Sequence, residues 1–158
     1  MIEIKRNDEQ FNLDNISNQD IFEGIKEGIT HTAKTLKNFE SSKDINIEFE
    51  EENCSRKQAY GADGNIYPNI HLAATLSDPN VNFSYVNAIV VVTPFGGKMV
   101  VYGQNAQLQT IETEELQNSV QTFMQSTFPD SDYNKKLQDY QKISQIKTRI
   151  YDEMVFGK

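Results

Sequence analysis

Cysteine occurs once in the sequence, at Cys54, tryptophan not at all, proline four times, and histidine only at His31 and His71. A lone cysteine closes no internal disulfide, so packing and hydrogen bonds alone must hold the fold, as suits a reducing cytoplasmic compartment. With the two histidines far apart in the chain, no metal-ligand spacing arises. No base stands beside a nucleophile in a recognisable motif either. The expectation is therefore no catalytic residue, no metal and no cofactor. The longest apolar run is Ala88–Val92, far short of the roughly 20 residues that a membrane-spanning helix needs. Met1–Arg6 carries charge with no apolar stretch behind it, which is not the pattern of a secretory signal. Glycine-rich phosphate loops are missing as well, since Gly96-Gly97 reads as a hairpin turn.

Basic charge is the other shortage. Lys and Arg number 15 against 23 Asp and Glu, a net charge of −8 with pI near 4.7. The deficit lies in residues 45–129, with three basic and nine acidic side chains, whereas residues 130–158 hold six basic and five acidic. Neutralising phosphates is the main sequence-independent source of nucleic-acid affinity, so this balance excludes a general DNA or RNA binder. It equally opposes adhesion to anionic membranes.

What is present suits one domain, residues 1–158, with 37% hydrophobic residues for a single modest core. Ile2 and Ile4 alternate with charges as a short strand. Ser17 and Asp20 form a capping-box start, and Ile21, Phe22, Ile25, Ile29, Thr32, Ala33, Leu36 and Phe39 give one apolar helical face from Asp20 to about Phe39. Ile45, Ile47 and Phe49 alternate with polar residues as a strand, and Asp63-Gly64 marks a turn. Ile70–Leu76 forms another strand, ended by Ser77-Asp78-Pro79-Asn80. Phe83–Thr93 and Met99–Gln104 read as strands joined through Pro94–Lys98. They are apolar on both faces, so both must be covered at the centre of the sheet. Thr113 caps a helix ending before Pro129, and a long last helix runs from about 131 to 156 with a near-heptad stripe. The expected architecture is α+β: an antiparallel sheet of four to five strands, one N-terminal helix on one face and two C-terminal helices covering the rest.

Glu48, Glu50 and Glu52 are the sharpest feature. On a strand they share one face with a repeat of roughly 6.8 Å, comparable to phosphate spacing, and Asp63 adds to the field. Such a row imitates a nucleic-acid backbone and fits a basic groove; the ordinary alternative is a wet strand face. Arg56, Lys57 and Tyr60 form a secondary candidate surface, an anion contact with aromatic support or else a solvated hairpin edge. Gly24 and Gly28, four apart on the first helix, mark either a close approach or a tolerated defect.

The leading expectation is a non-enzymatic acidic protein-interaction module, an inhibitor or immunity protein that occupies a basic surface of another protein. Oversupply of apolar surface points to a homo-oligomer, most simply a dimer. Two alternatives stand beside it. One is a small-ligand binder or small enzyme with a pocket between the sheet and the Ser17 helix, lined by some of Tyr60, Tyr67, Tyr85, Tyr102 and His71. The other is a structural subunit of a larger assembly.

Overall fold

The computed structural model describes residues 13–36, 39, 44–80, 85–102, 108–129 and 132–156. The strand expected at Ile2–Ile4 lies outside them. Helix α1 (Asn18–Ala33) precedes strands β1 (Asn46–Phe49), β2 (Ser55–Tyr60), β3 (Ile66–Ser77), β4 (Tyr85–Thr93), β5 (Gly96–Tyr102) and β6 (Leu108–Ile111), and helices α2 (Glu114–Thr127) and α3 (Tyr133–Phe156) follow. Every strand pairing is antiparallel. β1 pairs with Ala74–Ser77 of β3 and β2 with Ile66–His71 of the same strand. The two are halves of one edge, so six strands fill five positions in an α+β meander.

Ser17 caps α1 as its sequence demands, its hydroxyl accepting from the Asp20 amide at 3.0 Å. The helix stops at Ala33, short of the expected Phe39. Past Ala33 the backbone tightens to bonds three residues back, from the Thr35 amide to Thr32 and from the Leu36 amide to Ala33, and the Thr35 hydroxyl also donates to the Thr32 carbonyl, a local bond that competes with helix continuation. Leu36 and Phe39 are nevertheless buried, reached by a turn and not by the helix.

A second departure concerns the β4–β5 hairpin. Its turn is only Pro94-Phe95, because Gly96 and Gly97 pair with Thr93 and Val92 inside the ladder. A side chain at Gly96 would collide with Gln117, so α2 lies directly on the start of β5.

Strand alternation gives the sheet two unlike faces. Ile70, Leu72, Leu76, Val90, Val92 and Met99 point to one face and are fully buried. Ile21, Phe22, Ile25 and Ile29 of α1 cover them together with Leu116, Val120 and Met124 of α2. Burying each such side chain is worth about 1.5–3 kcal/mol. α2 therefore shares a face with α1, and the two C-terminal helices do not together cover the other. The β6–α2 connection is only Glu112 and Thr113, and Thr113 hydrogen-bonds the buried Thr32 hydroxyl at 2.6 Å, locking α2 against α1. Among the described residues no helix is long and apolar enough to cross a membrane.

Candidate functional site

The opposite face of the sheet is where the described helices leave surface uncovered. Cross-strand register sets Ala73, Ile89 and Val100 in one row, and His71, Val91 and Lys98 in the next. Thr75, Asn87 and Tyr102 form the row on the other side. The first row is apolar, half-buried at Ile89 and Val100 and buried at Ala73. Tyr85, Tyr102 and Leu108 beside it are exposed.

The acidic residues stand at the β1 rim of this face, though not as a strand row. Glu48 lies on β1 opposite Thr75 and is exposed. Glu50 is one residue past the strand; its carboxylate accepts from the Thr75 hydroxyl at 2.6 Å and from the Asn53 amide at 2.9 Å. These two bonds hold the Glu50 carboxyl below its ordinary pKa. Glu52 has left the ladder altogether, because Glu51–Asn53 is a 3-10 turn. The period-two pattern read from the sequence thus ends at Phe49, and the Asn53-to-Glu50 bond is the local interaction that favours the turn. Asp63 lies at the far end of β2 from Glu52, about 20 Å along the strand. It organises the β2–β3 turn, accepting from the Asn65 backbone amide at 3.0 Å and from the Tyr67 hydroxyl. Partial burial alone would raise the Asp63 carboxyl, but these bonds outweigh it and hold its pKa low.

Arg56, Lys57 and Tyr60 do not form one surface. Arg56 donates to Asn18 Oδ1 at 2.8 Å, to the Leu13 carbonyl at 2.7 Å and to the Ile16 carbonyl. It is the clamp that ties the start of α1 to β2. Lys57, the next residue along, points to the opposite side of the strand by alternation. Tyr60 is 77% exposed at the end of the strand.

At the Tyr67 end of the open face stands α3. Tyr140 stacks on Phe95 at 4.4 Å between ring centres, Phe95 meets Tyr67 edge-on at 5.0 Å, and the Tyr133 hydroxyl donates to the Pro94 carbonyl. The Tyr140 hydroxyl accepts from the Ala62 amide at 3.2 Å. Burial is the first cause, and the Asp63 hydrogen bond the second, that push Tyr67 up to about 12. Beside this cluster Asn69, Val91, Lys98, Glu112, Tyr140 and Ser144 help to line a cleft of about 400 Å³. Of the residues expected to line a pocket under α1, His71 lies on the opposite face of the sheet, in the row of Val91 and Lys98. Tyr85 and Tyr102 are exposed and Tyr67 belongs to the aromatic cluster. No single-sequence signal placed α3 over Tyr67, because the contact joins segments distant in the chain.

Among the described residues three further groups have perturbed titration; one is the Tyr133 hydroxyl, pushed up by burial. Cys54 is a half-buried thiol raised chiefly by burial, the wrong direction for a nucleophile. His71 is held below its ordinary value by burial, then by Lys57 and Lys98, and its Nε2 lies 2.7 Å from the Asn69 side-chain carbonyl. Compared with protein-family models, curated proteins and solved structures, the chain has no match.

Proposed function

We propose that this chain is a non-enzymatic protein-interaction module of the inhibitor, immunity or assembly-component type, which works by occupying another protein's surface. The observation that carries the reading is the open sheet face, where half-buried Ile89 and Val100 and exposed Tyr85, Tyr102 and Leu108 are flanked by the carboxylates of Glu48 and Glu50. An apolar centre with a charged rim is the anatomy of a recognition surface. A partner with a basic rim complements it, and a cytoplasmic setting remains part of the proposal.

The test pairs two variants with wild type in affinity capture from native lysate across a salt series. Glu48→Gln/Glu50→Gln/Glu52→Gln removes the rim charge and should slow association and flatten the salt dependence. Ile89→Asp places a charge on that face and should abolish capture. Retention of the same partner by both variants, with unchanged salt elution, would overturn the reading.

The small-ligand alternative has one observation in its favour, the cleft beside Tyr140, where Lys98 and Glu112 face the same space. Thermal-shift screening with small zwitterionic compounds discriminates it, since a ligand in that cleft should stabilise wild type and not Lys98→Ala.

A further inference from the structure

We infer that the open sheet face receives helix α3 of a second copy of this chain, and reciprocally, making a two-fold dimer held by exchanged C-terminal helices. The inference rests on the reading of that face as an interaction surface and commits it to one occupant.

α3 has 24 residues, about 36 Å of helix. Its first two turns are anchored through Tyr133 and Tyr140 to Pro94, Phe95 and Ala62. Beyond Ser144 it leaves the domain: Ile146 is 47%, Ile150 50% and Met154 79% exposed. Neither glycine nor proline interrupts Tyr133–Phe156, so the helix has no hinge with which to fold back onto its own sheet. Among the described residues one chain therefore presents an exposed apolar helix stripe beyond Ser144. Past the Tyr67 end that its own α3 covers, it also presents a sheet face on which Tyr85, Tyr102 and Leu108 are exposed and Ile89 and Val100 half-buried. The straight helix does not bring the two together.

Charge says what joins them. α3 carries five basic and three acidic residues in a chain of net charge −8, and its exposed half places Lys142, Lys147 and Arg149 before Asp152 and Glu153. The sheet face is polarised along its strands too, with Glu48 and Glu50 beside the Thr75 and Ala73 rows and Lys98 and Lys57 in the His71 and Asn69 rows. From the position opposite Glu48 (Thr75) to that opposite Lys57 (Asn69) is about 20 Å along β3. From Lys142 to Glu153 is about 16 Å along the helix. A helix laid along the strands in one direction pairs opposite charges at both ends; the reverse direction, like a parallel pairing of two α3 helices, brings like charges together. A reciprocal contact uses both surfaces of both copies, as a closed two-fold dimer requires.

Sedimentation velocity of the full chain at low salt, with a charge-exchange pair, tests this. Wild type should be a dimer. Lys142→Glu/Arg149→Glu and, separately, Glu48→Lys/Glu50→Gln should each weaken self-association roughly tenfold. An equimolar mixture of the two should restore a heterodimer, because both of its contacts again pair opposite charges. Rescue by mixing cannot arise from misfolded variants, and circular dichroism of each provides the check. A monomeric wild type at tens of micromolar overturns the inference, as does a Glu48→Lys/Glu50→Gln variant that associates like wild type, which would mean that α3 pairs with itself. A monomer that still captures a partner through Ile89 would leave the interaction-module reading standing while removing this one.

Discussion

The backbone amide of Ala73 donates to the sulfur of Cys54 at 3.3 Å, and the same thiol lies 3.3 Å from the Glu50 carbonyl, to which it donates. The thiol stands in the ladder where the edge of the sheet is interrupted by the turn at Glu51–Asn53. On the near side of the gap the Glu50 amide still bonds the Ala73 carbonyl at 2.9 Å. One side chain thus satisfies a β3 donor that would otherwise face an absent strand.

Replacing that thiol separates its roles. Cys54→Ala should destabilise the domain by about 1–3 kcal/mol, since the Ala73 amide loses its acceptor. Cys54→Ser keeps a donor and an acceptor and should cost less. Urea midpoints of the three proteins check the order; equal midpoints for Ala and wild type would mean that water replaces the sulfur.

Close contact between α1 and α2 makes a second prediction. Alanine is ordinarily better than glycine inside a helix by roughly 1 kcal/mol. At Gly28, however, a Cβ would lie 2.4 Å from Ser119 Oγ and 3.0 Å from the Glu115 carbonyl oxygen, and at Gly24 2.4 Å from the Phe123 ring. Gly28→Ala should therefore destabilise by about 1–3 kcal/mol through overpacking, with partial recovery in Gly28→Ala/Ser119→Gly. A stabilised Gly28→Ala would show that α2 yields.

The folded-state pKa of His71 lies below its ordinary 6.5. At pH above 6.5 both states are neutral at this site and its favourable contribution is complete. As pH falls from 6.5 to the folded pKa the unfolded chain binds the proton first, so stability declines across that window and levels off below it. Denaturation midpoints between pH 7.5 and 5 should decline in wild type, and His71→Gln should show a shallower decline. Identical slopes would mean that the site is more open to solvent than its surroundings indicate.

The Ser17 cap supplies a further test. Ser17→Ala removes the acceptor of the Asp20 amide and should cost about 1 kcal/mol. It should leave partner capture and self-association unchanged, because α1 faces away from the open side of the sheet. A change in association would connect the two faces in a way the packing does not explain.

Local patterns that need only neighbouring residues were legible in the chain. The Ser17 and Thr113 caps, the alternation through β3 and β4, and the length of α3 follow from side-chain chemistry and period within a dozen residues. The Gly24/Gly28 pair read as a tolerated defect as readily as a close approach, and only the packing of α2 against α1 decides for the second. The acidic row was half legible: Glu48 and Glu50 do reach one rim, but a 3-10 turn removes Glu52 and the length of β2 separates Asp63.

Composition and period by themselves determined the α+β class, the apolar surplus on β4 and β5, and a last helix too long for its domain. Tertiary structure alone decided which face each helix covers. Nothing near Leu116, Val120 or Met124 in sequence records that α2 packs beside α1; that follows from the two-residue link after β6 and the Thr32–Thr113 bond between residues far apart in the chain. The anchoring of α3 by Tyr133 and Tyr140 at one end of the sheet is a decision of the same kind. An amphipathic segment specifies that one side must be buried, not against what, because hydrophobic attraction is non-directional and only the assembled packing selects among partners.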